Sequence, residues 1–400
     1  MPSSFAKNAV VLGLLSAIGP FAIDMYLPAL PAIAGDLHAS AAATQWSLTA
    51  YFLAFGVCQI VYGPASDAWG RKPPLYFGLA LFALGALGCS LSPDIGWLIG
   101  CRLLQGIGAA AVTVIPRAVV RDLHTGIDAT RLMGLVMLVF SVSPIFAPLA
   151  GSALIVPLGW RAVFLAMTMA ALLAIVLVAT LLPETRPPAQ RISGGLRRVT
   201  STFAQLLGER RFWALSLVGG LGMASFFAFL ANSSFVYIEH FGLTPLHYSL
   251  AFALNAIGFI AGSQCSAPLG ARLGIPRVMR LGMALYASLA LTLLALTLAG
   301  LDDLMALMAM LFAIFACLGV TLPPIMVMLL DEHGPIAGSV SALSGTVQMM
   351  VGGAVIGVLS QFVDGSALPM VTAIALCAVS AATIAFIALP RRAPAPLPAE

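Results

Sequence analysis

Apolar residues fill the chain in windows of about 20 positions, separated by short polar or Gly/Pro-rich connections. A helix of about 20 residues is long enough to cross a bilayer, because each residue advances it by about 1.5 Å. The pattern therefore predicts an all-α membrane protein with twelve transmembrane helices. The predicted helices cover residues 8–34, 44–66, 74–92, 95–120, 129–156, 160–182, 212–237, 245–268, 278–298, 303–330, 335–362 and 367–389.

The composition agrees with this pattern and narrows the classes of function. Of the 400 residues, 60% are hydrophobic and 8% are charged, and the mean hydropathy is +1.03. Soluble proteins carry about 25% charged residues, so the composition is that of a polytopic membrane protein. The formal net charge is +4. Because the positive residues lie in short clusters between apolar segments and not on one basic face, we exclude a nucleic-acid-binding function.

One long polar connection divides the predicted helices into two sets of six. It is rich in arginine, proline and glycine, which favours a solvated linker with room for a short amphipathic helix. A weak repeat relates the two sets, because GPASDAWGRK starts at Gly63 after the second helix and APLGARLGIP starts at Ala267 after the eighth. We therefore expect two pseudo-symmetric six-helix bundles around a central cavity. The expected boundaries are 1–183 for the N-terminal bundle, 184–211 for the linker, 212–390 for the C-terminal bundle and 391–400 for a tail.

Positive residues are unequally distributed between the two sides of the predicted membrane protein. Of the 19 Lys and Arg residues, Arg102 lies within a helix, Arg161 lies on one side and the other 17 lie on the opposite side. Loops rich in Lys and Arg remain in the cytoplasm, so both termini are expected there. Ala-Ile-Ala at residues 32–34 resembles a signal-peptidase site. The apolar run before it is too long and is interrupted by Asp24 and Pro28, so we expect the first helix to be retained.

A single carboxylate, Asp24, lies in the middle of the first apolar segment. An Asp at the bilayer centre costs about 2.5–3.5 kcal/mol on insertion scales, so it should face a cavity, find a partner or bind a proton. Arg102, in the fourth predicted helix, lies at a similar depth and could interact with it. A reversible proton site inside a membrane indicates a transporter. The alternatives are that Asp24 is a packing contact or lies near the interface, and that Arg102 is a structural residue bonded to helix carbonyls.

No constellation of catalytic or metal-binding residues is visible in the sequence. The six cysteines lie in apolar runs without Cys-x-x-Cys spacing, and the five histidines fall in or beside connections. We therefore predict no enzyme activity, no catalytic residue and no metal site.

Several segments, in a fixed order along the chain, carry a family resemblance. They are IDMYLPALP (23–31), GPASDAWGRKP (63–73), RLLQGIGAAA (102–111), RAVVRDL (117–123), SPIFAPLAG (143–151), FVYIEHFG (235–242) and LDEHGPIAGSVSALSG (330–345). Together they resemble the major facilitator superfamily, and specifically its Bcr/CflA drug-resistance branch, over nearly the whole chain. The resemblance implies the major facilitator fold and proton-coupled export of bicyclomycin-type or chloramphenicol-type drugs. It also assigns a proton-coupling role to the arginine of the fourth helix, Arg102.

The segment GPASDAWGRKP has the features of a cytoplasmic gate. Asp67 follows a helix end, Gly70 permits a tight turn, and Arg71 fixes the loop at the membrane surface. The resemblance implies that Asp67 docks on the N-terminus of the eleventh helix, near Pro335, where the positive end of the helix dipole would stabilise a carboxylate. The alternative is that the loop is only a solvated anchor for the topology.

This gate departs from the family pattern at one position. Ala68 stands where many members have arginine, which puts a full charge relay to Asp122 in doubt and leaves Arg71 as the substitute. The predicted gate residues are Gly63, Asp67, Gly70, Arg71, Arg121 and Asp122.

The fifth predicted helix contains small and helix-bending residues that resemble the antiporter motif of drug exporters. They are Gly134, Pro144, Pro148 and Gly151. These residues allow close packing and a local change of curvature. Ala147 and Ala150 replace glycines of the commonest form of the motif, and generic packing of membrane helices is the competing explanation.

The candidate substrate cavity combines polar residues with apolar partners inside predicted helices. The candidates are Tyr51, Gln59, Gln105, Met137, Phe226, Phe227, Asn232, Asn255 and Gln348. A large apolar cavity with few polar groups would suit diverse amphipathic drugs.

The sequence and the resemblance together predict a proton-coupled antiporter that exports small lipophilic or amphipathic drugs. Its expected place is the bacterial inner membrane, and its expected partners are the drug, protons and lipid, with no cofactor, no nucleic acid and a monomeric state. The alternative is a proton-coupled porter of a physiological solute such as a nucleoside, an amino acid or a sugar.

Overall fold

The computed structural model describes residues 2–124, 126–191, 195–301, 303–331, 333 and 336–388. These residues form helices and no strands, and they contain twelve helical segments that are long and apolar enough to cross a membrane. The predicted fold class is therefore confirmed.

The helices before the linker form the N-terminal half of the molecule. They are α1 (Pro2–Asp24), α2 (Leu30–Asp36), α3 (Ala41–Trp69), α4 (Lys72–Ser90), α5 (Ile95–Leu123), α6 (Gly126–Leu158) and α7 (Arg161–Leu181). The linker contains a 3₁₀ turn (Pro188–Gln190) and α8 (Gly195–Leu207).

The helices after the linker form the C-terminal half. They are α9 (Arg210–Ser234), α10 (Pro245–Leu273), α11 (Ile275–Leu298), α12 (Leu304–Asp331), α13 (Ala337–Leu359) and α14 (Leu368–Ala388). A π-helical segment, Phe235–His240, continues α9, and a 3₁₀ turn, Ser360–Phe362, continues α13.

The first membrane span is broken, where the sequence pattern predicts one helix over 8–34. Its first part, α1, ends at Asp24, a 3₁₀ turn covers Leu27–Ala29, and α2 begins at Leu30. Pro28 lies inside the turn and has no backbone N–H to continue the helical ladder, and it also disfavours helical geometry at the residue before it. The break therefore follows directly after the buried carboxylate.

The two halves repeat one packing scheme. In the N-terminal half α5 packs against α3 and α4, and α7 packs against α4. In the C-terminal half α12 packs against α10 and α11, and α14 packs against α11. The halves meet along two seams, α3 with α13 and α6 with α10. Any opening between the halves must therefore lie between these seams.

The two ends of the bundle differ in their contacts, and we call them the linker side and the distal side. The linker side is the end that contains the linker and the turn at 70–71, which are joined by a hydrogen bond from the Arg71 amide to Glu184 (2.8 Å). The distal side is the end that contains the connections 37–40 and 241–244.

Candidate functional site

Asp24 is buried inside the molecule at the break in the first span. The residue is 5% exposed and is the last of α1. The 3₁₀ turn that follows it packs against α9 and α10 of the C-terminal half. The carboxyl lies within electrostatic range of the hydroxyls of Tyr51, from the N-terminal half, and Tyr248, from the C-terminal half. The one acidic residue that the sequence placed deep in a helix is therefore held where the two halves meet.

Arg102 is fully buried between two aromatic rings. Its guanidinium carbon lies 4.6 Å from the ring centroid of Tyr26 and 4.3 Å from that of Tyr51. Its Nη1 donates to the carbonyl of Ala22 (3.1 Å) and to Gln105 Oε1 (2.5 Å), while Nε and Nη2 have no hydrogen-bond partner among the described residues. The negatively polarised faces of the two rings attract the buried guanidinium cation.

Asp24 and Arg102, both in the described part of the chain, form no ion pair with each other. They are instead linked through backbone and rings: Arg102 bonds the carbonyl two residues before Asp24 and stacks on the ring of Tyr51, whose hydroxyl lies within electrostatic range of Asp24. The interaction that the sequence allowed is thus indirect in this conformation, and the structural alternative for Arg102, bonding to a helix carbonyl, is observed alongside it. The roles of both residues in proton coupling stay predictions.

The predicted antiporter motif lies on α6, which remains one helix through Pro144 and Pro148. A Cβ added at Gly151 would collide with the backbone of Met25, next to Asp24, whereas a Cβ at Gly134 would meet nothing within 4 Å. The carbonyl of Pro148 accepts a hydrogen bond from Ser249 Oγ of α10 (2.9 Å). One end of the motif therefore packs on the break in the first span and on the C-terminal half.

Neutral contacts close the gap between the halves towards the distal side. Gln45 Nε2 donates to Asn232 Oδ1 (2.9 Å), and the hydroxyls of Ser152 and Ser249 lie 2.7 Å apart. Deeper in the α3–α13 seam, Thr346 Oγ1 donates to the carbonyl of Gly56 (2.9 Å). These bonds join α3 to α9, α6 to α10 and α13 to α3.

A cavity of about 390 Å³ opens between the halves on the linker side. Its walls come from α3, α5 and α13, and Phe203 of α8 forms part of its lining. The lining includes Gln59, Gly63, Asp67, Arg71, Arg121 and Asp122. The structure is therefore closed distally and holds a cavity on the linker side, as one state of an alternating-access cycle would be.

Arg71 is the centre of the predicted gate. Its guanidinium bonds Asp67 Oδ1 (2.8 Å) and Asp122 Oδ2 (2.7 Å), so it joins α3 to α5. Gly70 has a φ of +93°, a conformation that residues with a Cβ rarely adopt, so the tight turn requires glycine. Arg121 lines the cavity, and its Nε bonds the carbonyl of Arg117 (3.5 Å). Pro335, where Asp67 was expected to dock, lies outside the described residues.

The start of the linker belongs to this cluster, although its composition suggested a solvated chain. The Glu184 carboxylate accepts hydrogen bonds from the backbone N–H groups of Arg71 (2.8 Å) and Lys72 (3.0 Å) at the beginning of α4. Thr185 Oγ1 donates to Asp122 (2.9 Å), and Arg186 pairs with Asp67 (3.4 Å). The sequence does show a carboxylate and a hydroxyl, Glu184 and Thr185, directly after an apolar helix. Their spacing does not show which residues they contact.

Backbone donors set the ionisation of Glu184. Burial raises the pKa of Glu184, but the backbone N–H groups of Lys72, Arg71 and Arg186 outweigh burial and hold the pKa below its usual value. Glu184 therefore stays charged at neutral pH and keeps the linker attached to the turn.

The residues predicted to line a substrate cavity fall into four groups, of which three lie at the linker-side cavity, around Arg102 and at the interface between the halves. Gln59 lines the linker-side cavity, while Tyr51 and Gln105 surround Arg102. Phe227 stacks on Phe52 across the halves with ring centroids 4.4 Å apart, and Asn232 bonds Gln45.

The other candidates lie away from the linker-side cavity. Phe226 packs among the rings of the C-terminal half, and Asn255 donates to the carbonyl of Ala251 (3.2 Å) in the same half. Gln348 borders a smaller cavity of about 230 Å³, and Met137 is 37% exposed on α6. The structure thus brings part of the predicted set to the interface between the halves, and the substrate contacts stay predictions.

Comparison with known proteins places this geometry in a family. Residues 12–357 match the family model described as Major Facilitator Superfamily. The chain is 34% identical over 364 residues, 90% of each chain, to the "Uncharacterized MFS-type transporter YdgK" of Bacillus subtilis. It is 31% identical over 278 residues, 69% of each chain, to the "Bicyclomycin resistance protein homolog" of Haemophilus influenzae.

Solved structures support the same assignment of the fold. The structure of a D-xylose-proton symporter superposes with a TM-score of 0.72 at 15% sequence identity, covering 97% of this chain and 98% of the other. At that identity the likeness concerns the fold alone. Together with the match over 12–357 and the drug-resistance relative, it confirms the resemblance seen in the sequence. The chain belongs to the major facilitator superfamily.

Proposed function

We propose that the chain is a proton-coupled antiporter that exports small lipophilic or amphipathic drugs, of the bicyclomycin and chloramphenicol type, across the bacterial inner membrane. The observation that carries the proposal is a buried carboxyl, Asp24, at the break of the first span, between the two halves of a chain whose relative is named for bicyclomycin resistance. An ionisable residue inside a membrane protein usually serves an ion or substrate path.

The transport cycle follows from the two ends of the molecule. Drug enters from the linker side, which faces the cytoplasm, through the cavity beside Gln59. Its arrival near Arg102 and the rings of Tyr26 and Tyr51 changes the balance of charge around Asp24, and the proton leaves inward. The halves then rock, the neutral distal contacts separate, the drug leaves, and Asp24 takes a proton from outside.

Transport by reconstituted protein tests this cycle. Proteoliposomes with an imposed pH gradient should accumulate chloramphenicol, and Asp24→Asn should bind the drug but lose the pH-driven accumulation, because the amide cannot cycle a proton. Asp128→Asn is the matched control, since Asp128 is an exposed carboxylate at the start of α6. Its drug flux should equal that of the wild type.

Two results would contradict parts of the proposal. Normal pH-driven efflux by Asp24→Asn would move the coupling site to another residue. No drug flux by the wild type, with unchanged drug susceptibility of an efflux-deficient bacterium that expresses it, would reject drug export and favour a porter of a physiological solute.

The proposed orientation puts both termini in the cytoplasm, because nearly all positive residues lie on the linker side. Reporter domains inserted after Arg71 should report cytoplasm, and those near Asp36 should report periplasm. Consistent inversion would overturn the assignment.

The cluster around Arg71 acts as the cytoplasmic gate in this proposal. Asp67→Asn should lower the rate of drug export without abolishing drug binding, because it weakens the bonds to Arg71 and Arg186. Unchanged kinetics would leave Asp67 as an anchor of the loop.

A further inference from the structure

Two tyrosines in the C-terminal half make the same kind of bond in different surroundings. Tyr248 and Tyr286 are both fully buried, and each pairs its hydroxyl with a serine of α9. Tyr286 donates to Ser225 at 2.5 Å, whereas the Tyr248 hydroxyl lies 3.1 Å from Ser233 Oγ. Hydroxyl–oxygen bonds have a usual range of about 2.5–3.0 Å, so the Tyr248 bond is long and weak.

Packing brings Tyr248 to the buried carboxyl of the other half. Gly151 of α6 touches the backbone of Met25, the residue after Asp24. The next residue of α6, Ser152, bonds Ser249, the residue after Tyr248. Tyr248 thereby lies within electrostatic range of Asp24, and in the part of the chain that the structure describes no carboxylate stands in that relation to Tyr286.

Two tyrosine hydroxyls near Asp24 have long bonds, and of these two Tyr248 is the one that belongs to the other half. From α3, Tyr51 donates to the carbonyl of Gly19 (3.3 Å) within the N-terminal half, and from α5, Arg102 is held by rings and by Gln105.

The remaining neighbours of Asp24 are engaged or do not titrate. Tyr26, in the same span, shares a hydrogen bond with Ser47 (2.7 Å), and α6 approaches with Gly151 and Ser152, which do not titrate.

The inference rests on the proposed proton coupling at Asp24. We propose that the Tyr248 hydroxyl transmits the protonation state of Asp24 to the C-terminal half, by exchanging between Ser233 and the carboxylate. A carboxylate is a stronger acceptor than a serine hydroxyl, because hydrogen bonds to a charged acceptor are shorter and roughly twice as strong as neutral ones. Ionised Asp24 therefore draws the Tyr248 O–H away from Ser233 of α9, and this exchange lets the distal contacts separate after the proton has left. Protonated Asp24 releases the hydroxyl back to Ser233, and the distal contacts close again.

Tyr248 is a positioning residue in this scheme, since the proton is carried by Asp24. Removal of its hydroxyl should uncouple the proton from the movement and leave the drug contacts in place. The readout must therefore separate drug binding from pH-driven transport.

The experiment compares Tyr248→Phe with Tyr286→Phe in proteoliposomes. Tyr248→Phe should bind chloramphenicol within about twofold of the wild type but show a maximal pH-driven flux roughly tenfold lower, because a hydrogen bond to a charged group is worth about that factor or more. The dependence of its flux on pH should also flatten. Tyr286→Phe removes the same hydroxyl from the same half and should retain both the flux and the pH profile.

A second variant guards against a simple folding defect. Ser233→Ala deletes the competing acceptor, so the Tyr248 hydroxyl should favour Asp24 at all pH values, and the acid limb of the flux profile should shift to lower pH. Normal pH-driven flux in Tyr248→Phe would overturn the inference, as would equal losses in Tyr248→Phe and Tyr286→Phe. If Asp24→Asn itself transports normally, the proposed coupling fails first and the two failures are distinguished.

Discussion

The N-terminal half buries charge, whereas the C-terminal half buries neutral polar groups. Among the described residues, the buried aspartate and arginine side chains are Asp24, Arg71 and Arg102, all in the N-terminal half. The C-terminal half buries hydroxyls and amides, of which Ser233 and Asn255 are examples. Moving a charge between different buried surroundings costs far more than exchanging neutral hydrogen bonds. The N-terminal half is therefore expected to keep its buried charges in place, whereas the C-terminal half can exchange its neutral hydrogen bonds at lower cost.

One buried histidine of the C-terminal half, His333, is an exception to this difference. His333, 8% exposed after α12, lies 2.6 Å from Glu209 at the start of α9, so the C-terminal half does place one titratable contact at its linker side. This contact joins two helices of the same half and does not itself cross the seam to the N-terminal half.

The largest expected effect comes from removing the buried cation of the gate. Arg71→Ala should destabilise the protein by about 2 kcal/mol or more, because it leaves Asp67 and Asp122 without their shared partner. The figure is below the 3–5 kcal/mol of a fully buried pair, since both carboxylates are partly exposed. Thermal unfolding in detergent measures it. Arg121→Ala, an exposed neighbour lining the same cavity, is the control and should change the midpoint little. Equal shifts of the unfolding midpoint in the two variants would show that the burial of the Arg71 charge does not explain its contribution to stability.

A steric change tests where the charged half touches the neutral one. Gly151→Ala should lower stability by about 1–3 kcal/mol and impair transport, because its Cβ would collide with the backbone of Met25 beside Asp24. Gly134→Ala, on the same helix with open space around it, should be neutral or stabilising by helix propensity. Measurements of the unfolding midpoint and the drug flux of the two variants test this expectation. A tolerated Gly151→Ala would mean that generic packing explains the motif.

A smaller effect is expected from the neutral distal seal. Asn232→Ala removes the bond to Gln45 and should shift the equilibrium towards a distally open state by about 1 kcal/mol, the net value of one neutral hydrogen bond. Distances between spin labels at His38 and Leu243 report the two populations. A shift as large as that from Arg71→Ala would contradict the view that the seam is adaptable.

The smallest effect is expected at the exposed edge of the charged cluster. The pKa of Glu184 is held below its usual value, so its contribution is present above the unfolded pKa, about 4.3, and is lost as pH falls through the folded value. Glu184→Gln should therefore lower the unfolding midpoint slightly at pH 7, and the difference from the wild type should vanish at strongly acidic pH. A difference that grows on acidification would reverse the assigned sign.

Hydrophobic patterning was enough to predict the twelve spans, because each must satisfy its backbone hydrogen bonds within itself and expose apolar side chains to lipid. It also identified Asp24, since a lone carboxylate in an apolar window is visible without any structure. The missing arginine at position 68 put a charge relay to Asp122 in doubt and left Arg71 as the substitute, and the structure shows Arg71 paired with Asp122. Glu184 was missed, because composition alone suggested a solvated chain.

The sequence by itself determined the twelve apolar spans, the uneven distribution of positive charge among their connections and the position of Asp24 within the first span, since these depend on local composition and on the fixed rise of a helix. Only the tertiary structure decided which groups surround that carboxyl. Arg102 packs between the rings of Tyr26 and Tyr51, and Tyr248 of the other half lies within electrostatic range of Asp24. These contacts join residues far apart in the chain, and they depend on how helices cross and rotate, which hydrophobic periodicity does not specify.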